Sequence, residues 1–154
     1  MDAKIRKAQV NLMTLGAGVS LFGLWIFVKF ALTYILYGAQ IDEAMDDTEM
    51  LIVQIVVWFF TVTSLLIRIY IGISARSESK GKRKNGFYLF LTGMIGTIEL
   101  AAVIIDISGL FLSPQKFINI FITLIIDSTA LVFLVELMVN AIIIRSLRKK
   151  AAAK

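Results

Sequence analysis

The sequence predicts an all-α, polytopic integral membrane protein: four transmembrane helices in an antiparallel bundle, with both termini cytoplasmic. Three observations carry that expectation. The chain is 58% hydrophobic over 154 residues, with a mean hydropathy of +0.85, whereas a soluble domain is typically about half apolar. The apolar residues fall into four blocks, residues 10–37, 51–73, 87–111 and 117–144. Each is long enough for a hydrocarbon core that takes about 20 helical residues to cross. Finally, counting Arg68 at the end of the second block, fourteen of the 16 Lys and Arg residues lie before the first block, between the second and third, or after the fourth. Basic segments stay cytoplasmic during insertion, and that sets the expected orientation. The blocks do not alternate apolar and polar residues as a lipid-facing strand does. In hydrocarbon only a helix satisfies its own backbone otherwise.

The first block follows Lys4, Arg6 and Lys7. It exceeds a signal-peptide core of roughly 7 to 15 residues and lacks a small-x-small cleavage site, so it is read as a retained span. Gly16, Ser20 and Gly23 share one stripe along it, the kind of small-residue face that lets helices approach closely in lipid. The connection to the second block carries Asp42, Glu43, Asp46, Asp47 and Glu49 and no basic residue. It lacks the alternating oxygen positions and central glycine of an EF-hand, so it reads as a solvated acidic loop. Asp47 or Thr48 is placed to cap the second helix.

Arg68 is counted at the end of the second block, followed by Arg76, Lys80, Lys82, Arg83 and Lys84. Lys80, Lys82, Arg83 and Lys84 are expected against anionic lipid headgroups, each charge contributing about 1 kcal/mol near the surface. No aromatic residues interleave them as a nucleic-acid stacking platform would require, and no nucleic-acid partner is expected. Asn85-Gly86 punctuates the start of the third helix. There Thr92, Gly96, Glu99, Val103 and Asp106 recur at helical spacing, forming a polar stripe that should face protein. Ser113 and Pro114 read as N-cap and first helical position of the fourth helix. No connection is long enough to be a soluble unit, so residues 1–154 form one domain. A shift of 77 residues pairs Gly16 with Gly93, Lys29 with Asp106 and Arg68 with Arg145. Identity elsewhere between the two hairpins is poor.

Five ionisable residues lie inside the blocks: Lys29, Glu99, Asp106, Asp127 and Glu136. A charge at the centre of a span costs about 2.5 to 3.5 kcal/mol on insertion scales. At about 1.5 Å rise per residue, Lys29, Asp106 and Asp127 all stand roughly 27 to 28 Å from the cytoplasmic boundary. They are expected to form an ion pair or outer gate. Glu99 and Glu136 stand roughly 18 and 13 Å deep by the same rise, with no cation expected at their level. Relief must then come from a proton, a bound cation or a donor. Glu99, Glu136 and Asp106 are accordingly the expected ion- or proton-binding residues.

Composition excludes several chemistries. There is no Cys and no His, which removes disulfides, thiol redox, zinc–histidine catalysis, axial histidine haem ligation and histidine proton relays. No nucleophile elbow, Walker loop, metalloprotease helix or dinucleotide fingerprint is present. An enzyme is not expected, nor a cofactor or resident metal. The leading expectation is a channel or an ion- or proton-coupled transporter of the plasma membrane, acting as a homo-oligomer. The alternative is an accessory or immunity-type subunit packed against a larger membrane protein.

Overall fold

The computed structural model describes residues 2–37, 47–82, 85–112 and 117–152. Four helices make up these segments: α1 (Asp2–Tyr37), α2 (Asp47–Ser79), α3 (Phe87–Leu112) and α4 (Phe117–Ala152). All four are long and apolar enough to cross a membrane. Their outward surfaces carry large apolar side chains, among them Leu51, Ile55, Phe59, Phe90, Ile105 and Val132. Apolar coverage of that extent is far beyond a soluble monomer's and suits a hydrocarbon solvent.

Three helices run past the expected spans on the side that carries both termini, here the terminal side. The first begins at Asp2, the second reaches Ser79 and the fourth reaches Ala152. For α2 this moves Arg68 well inside the helix. Eleven residues separate it from Ser79, about 16 Å along the axis. The second helix stops at Gly81, whose φ of 92° is open to glycine and strained for other residues. Gly81 N–H donates to the Glu78 carbonyl at 3.0 Å and Lys82 N–H to the Ser77 carbonyl at 3.2 Å. That pair of bonds is a Schellman cap and satisfies carbonyls that the helix end leaves open. Ser113 and Pro114, expected to start α4, lie outside the described residues.

Small residues seat α1 on α2. A Cβ on Gly16 would come within 2.9 Å of the Gly72 carbonyl oxygen and 3.0 Å of Ala75 Cβ. The Gly16, Ser20 and Gly23 stripe is therefore a packing seam, in which dispersion contact replaces the hydrophobic drive that lipid lacks. A Cβ on Gly93, the position matched to Gly16 by the 77-residue shift, would meet nothing within 4 Å, so the two hairpins do not repeat this seam. Gly16 lies beside Gly72, Gly23 beside Arg68, and Phe30 beside Trp58. The two helices are thus antiparallel. The first helix lies between α2 and α4, and α4 also packs on α3, while α2 meets α3 over a much smaller surface.

Burial is confined to one half of the molecule. Among the described residues, buried positions run from Ala8 to Gly23 on α1, Arg68 to Ser79 on α2, Tyr88 to Glu99 on α3 and Ala130 to Ile144 on α4. Leu12, Ile71, Leu134, Leu137 and Ile144 fill this core. Beyond it, on the far side, each hairpin holds to itself. Trp58 gathers Phe27, Phe30 and Tyr34 with ring centroids 5.2 to 6.1 Å away, tying α1 to α2. A cavity lined by all four helices lies between the hairpins.

Candidate functional site

The cavity has a volume of about 580 Å³ and takes side chains from all four helices. Its walls are mostly apolar, with Trp25, Phe60, Met94, Ile98 and Ile126 among them. The polar groups on it are Lys29, Thr63, Ser64, Arg68, Glu99, Thr123 and Asp127. Arg68 and Glu99 stand on its wall, and along α3 it runs from Leu91 on the terminal side of that pair to Ala102 on the far side.

Arg68 Nη2 donates to Glu99 Oε1 in a buried ion pair, with side chains 5% and 8% exposed. This corrects the expectation that Glu99 has no cation at its depth. The difference lies in the hydropathy boundary, which puts Arg68 at the membrane edge, whereas α2 continues for eleven more residues. Gly23 makes room for the arginine, since a Cβ there would sit 3.0 Å from Arg68 Cβ and 3.1 Å from its Cδ. Two desolvated charges are tolerated only as a well-formed pair, and losing one partner typically costs about 3 to 5 kcal/mol. Arg68 Nε is buried without a hydrogen-bond partner.

Towards the far side, seven residues along α3 from Glu99 and so about 10 Å further, stands Asp106. Its carboxyl lies near that of Asp127 on α4, and its Oδ2 is buried with no hydrogen-bond partner. Lys29 and Glu99 both act electrostatically on Asp127. Lys29, Asp106 and Asp127, expected as an ion pair or outer gate, all stand on the far side of Glu99, and among the described residues Lys29 forms no ion pair within 4 Å.

Glu136 is not part of this site. It is exposed on α4, and its carbonyl accepts a hydrogen bond from Asn140 Nδ2 at 2.8 Å. Nine residues separate it from Asp127, which at about 100° per residue places the two on opposite faces. With Asp127 turned to the cavity, Glu136 faces outward among Val132, Val135 and Val139. Lys80 and Lys82 are exposed beyond α2; Arg83 and Lys84 lie outside the described residues.

A third charged layer closes the terminal side. The Glu78 side chain, 2% exposed, accepts from Arg145 Nε at 2.7 Å, Arg145 Nη2 at 2.9 Å and the Tyr88 hydroxyl at 2.5 Å. Arg148 donates to the Glu78 backbone carbonyl at 2.9 Å, and the Arg145 guanidinium lies 5.6 Å from the Tyr88 ring centroid. This cluster joins α2, α3 and α4 at one point. Sequence reasoning missed it, since Glu78 stands among basic residues and counts there only as a minor offset.

No family model matches the chain, and neither a curated protein nor a solved structure resembles it significantly.

Proposed function

We propose that the chain is a small proton- or cation-coupled translocator of the plasma membrane, a four-helix bundle with both termini cytoplasmic. One observation carries this reading. Burial ends at the Arg68–Glu99 pair, and beyond it, still inside the spans, stand Lys29, Asp127 and Asp106, whose Oδ2 is buried without a hydrogen-bond partner. Intramembrane ionisable groups that face a cavity typically mark ion or proton routes. With the basic segments inside, the cavity faces outward and the Glu78 cluster seals the cytoplasmic end. Asp106 and Asp127 carry the proton, Arg68–Glu99 forms the barrier, and Lys29 tunes the outer level. Translocation then requires the Glu78–Tyr88–Arg145 contacts to open while the hairpins close outside.

The test is reconstitution of the pure protein in liposomes with a luminal pH dye and a panel of imposed cation gradients. A gradient that moves luminal pH, and does so only with the protein present, supports the reading. Silence across inorganic and organic cations alike removes it.

Glu136 favours a second element. A charged side chain facing hydrocarbon costs about 2.5 to 3.5 kcal/mol near mid-span. Its exposed position beside Asn140 therefore suits an interface, either with a second copy or with a larger membrane partner. A protein that purifies alone as a defined oligomer supports the homo-oligomer; one that always co-purifies with a second species supports the accessory-subunit reading.

A further inference from the structure

We propose that the cavity binds a zwitterionic amino acid with a bulky apolar side chain. Its carboxylate is held by the α1–α2 wall and its ammonium by the α3–α4 wall. On the translocator reading, on which this rests, that amino acid is the cargo.

The polar groups on the cavity are sorted by side. From α1 and α2 come Lys29, Thr63, Ser64 and Arg68, all able to donate a hydrogen bond and two of them cations. Both carboxylates come from the other hairpin, Glu99 from α3 and Asp127 from α4. Antiparallel pairing sets Gly23 beside Arg68 and Phe30 beside Trp58, so Thr63 and Ser64 stand at levels between Arg68 and Lys29. One hairpin thus presents a column of donors, and the other presents its acids. Asp106 does not line the cavity and stays available to the coupling proton or cation.

Charge on these walls balances, two cations against two carboxylates, so a ligand of zero net charge leaves it balanced. Arg68 and Glu99 neutralise each other directly. Lys29 and Asp127 line the cavity from opposite hairpins, and among the described residues neither forms an ion pair within 4 Å. An ammonium alone would satisfy Asp127 and be repelled by Lys29; a carboxylate alone would meet the reverse. A zwitterion satisfies both. Arg68 gives a second reason for a carboxylate, being 4% exposed with a buried Nε–H that has no acceptor among the described residues. The rest of the ligand meets Trp25, Phe60, Met94, Ile98 and Ile126, which calls for an apolar side chain. A volume of about 580 Å³ lies in the usual range for small-molecule sites, about 300 to 1,000 Å³. Held from both walls, the ligand draws together hairpins whose α2 and α3 touch little, the outer closure that translocation requires.

The test uses the protein's own fluorophore. The chain has two Trp residues, and Trp58→Phe leaves Trp25, on the cavity wall, as the sole reporter. In phosphatidylcholine nanodiscs the protein is titrated with para-bromophenylalanine, with cationic para-bromophenethylamine and with anionic para-bromophenylpropanoate. All three share the apolar body and the quenching bromine. The zwitterion should quench Trp25 saturably and about ten- to a hundredfold more tightly than either singly charged probe, the contribution of one hydrogen bond to a charged group. Lys29→Met should erase its advantage over the cation, and Asp127→Asn its advantage over the anion, a crossover that a folding defect does not produce. Ala102→Phe, which fills the cavity from α3, should abolish saturable quenching without touching a charge. Wild-type protein gives a second measurement that does not depend on Trp58: tritiated phenylalanine should bind, and para-bromophenylalanine should displace it.

Equal affinity for the three probes, tighter binding of a singly charged one, or an advantage that survives both charge substitutions overturns the proposal. Quenching by a bromine-labelled phosphatidylethanolamine that para-bromophenylalanine does not displace also overturns it, and makes a lipid headgroup with the same pairing of ammonium and anion the occupant. Charge-selective binding without uptake of tritiated phenylalanine into liposomes would keep the site and remove the translocator. A cation-driven change in luminal pH, without amino-acid binding, would do the reverse.

Discussion

Arg68 of α2 and Glu99 of α3 pair at the level where burial ends on all four helices. The pair closes the packed core and stands on the wall of the cavity. Its members lie on two helices that otherwise touch little, so the ion pair substitutes for a packing surface there. Arg68→Gln or Glu99→Gln alone strands a desolvated charge and should lower stability by about 3 to 5 kcal/mol. The double Gln variant, free of both charges, should recover most of that loss. Thermal unfolding in detergent measures it, and additive losses in the double variant would contradict the pairing.

The seam between α1 and α2 makes a sharper comparison between two glycines. Gly16→Ala places a methyl 2.9 Å from the Gly72 carbonyl oxygen and should cost about 1 to 3 kcal/mol through overpacking. Gly93→Ala meets nothing within 4 Å and should be neutral or slightly stabilising, since alanine is the better helix former. Equal effects at the two sites would show that the seam does not hold the helices.

Much of this arrangement is readable from the residues. Hydropathy locates four helices, and the Thr92, Glu99 and Asp106 spacing finds the face of α3 that turns inward. The remainder depends on angles and lengths that hydropathy does not carry. A basic residue at the edge of an apolar block reads as the membrane boundary, and Arg68 is misplaced that way. Depth alone pairs Glu136 with Glu99, yet rotation about α4 sends it outward once Asp127 faces the cavity. Glu78 and Tyr88 meet across a helix cap, a contact with no periodic signal.

The closure on the terminal side should depend on Tyr88. Its hydroxyl donates to Glu78 at 2.5 Å, and a hydrogen bond to a charged group contributes about 1.5 to 3 kcal/mol. The native chain has no Cys, so Thr63→Cys places a unique thiol on the cavity wall. An impermeant thiol reagent should reach it from the far side alone. Adding Tyr88→Phe should admit the reagent from the terminal side as well. Unchanged protection would mean that the cluster is not a gate.

Orientation has its own check. Lys80→Cys, in the exposed segment after α2, should be labelled only after the cell membrane is permeabilised, because basic segments remain cytoplasmic. Labelling in intact cells would invert the account.

Two carboxylates on opposite faces of α4 separate the cavity route from a route between protomers. Wild-type protein, Asp127→Asn and Glu136→Gln are each reconstituted in liposomes, and luminal pH is followed after imposing a cation gradient. The account predicts a protein-dependent pH change that Asp127→Asn abolishes and Glu136→Gln retains. Loss of the signal in Glu136→Gln with full activity in Asp127→Asn would contradict it, placing the proton route on the outer face of α4.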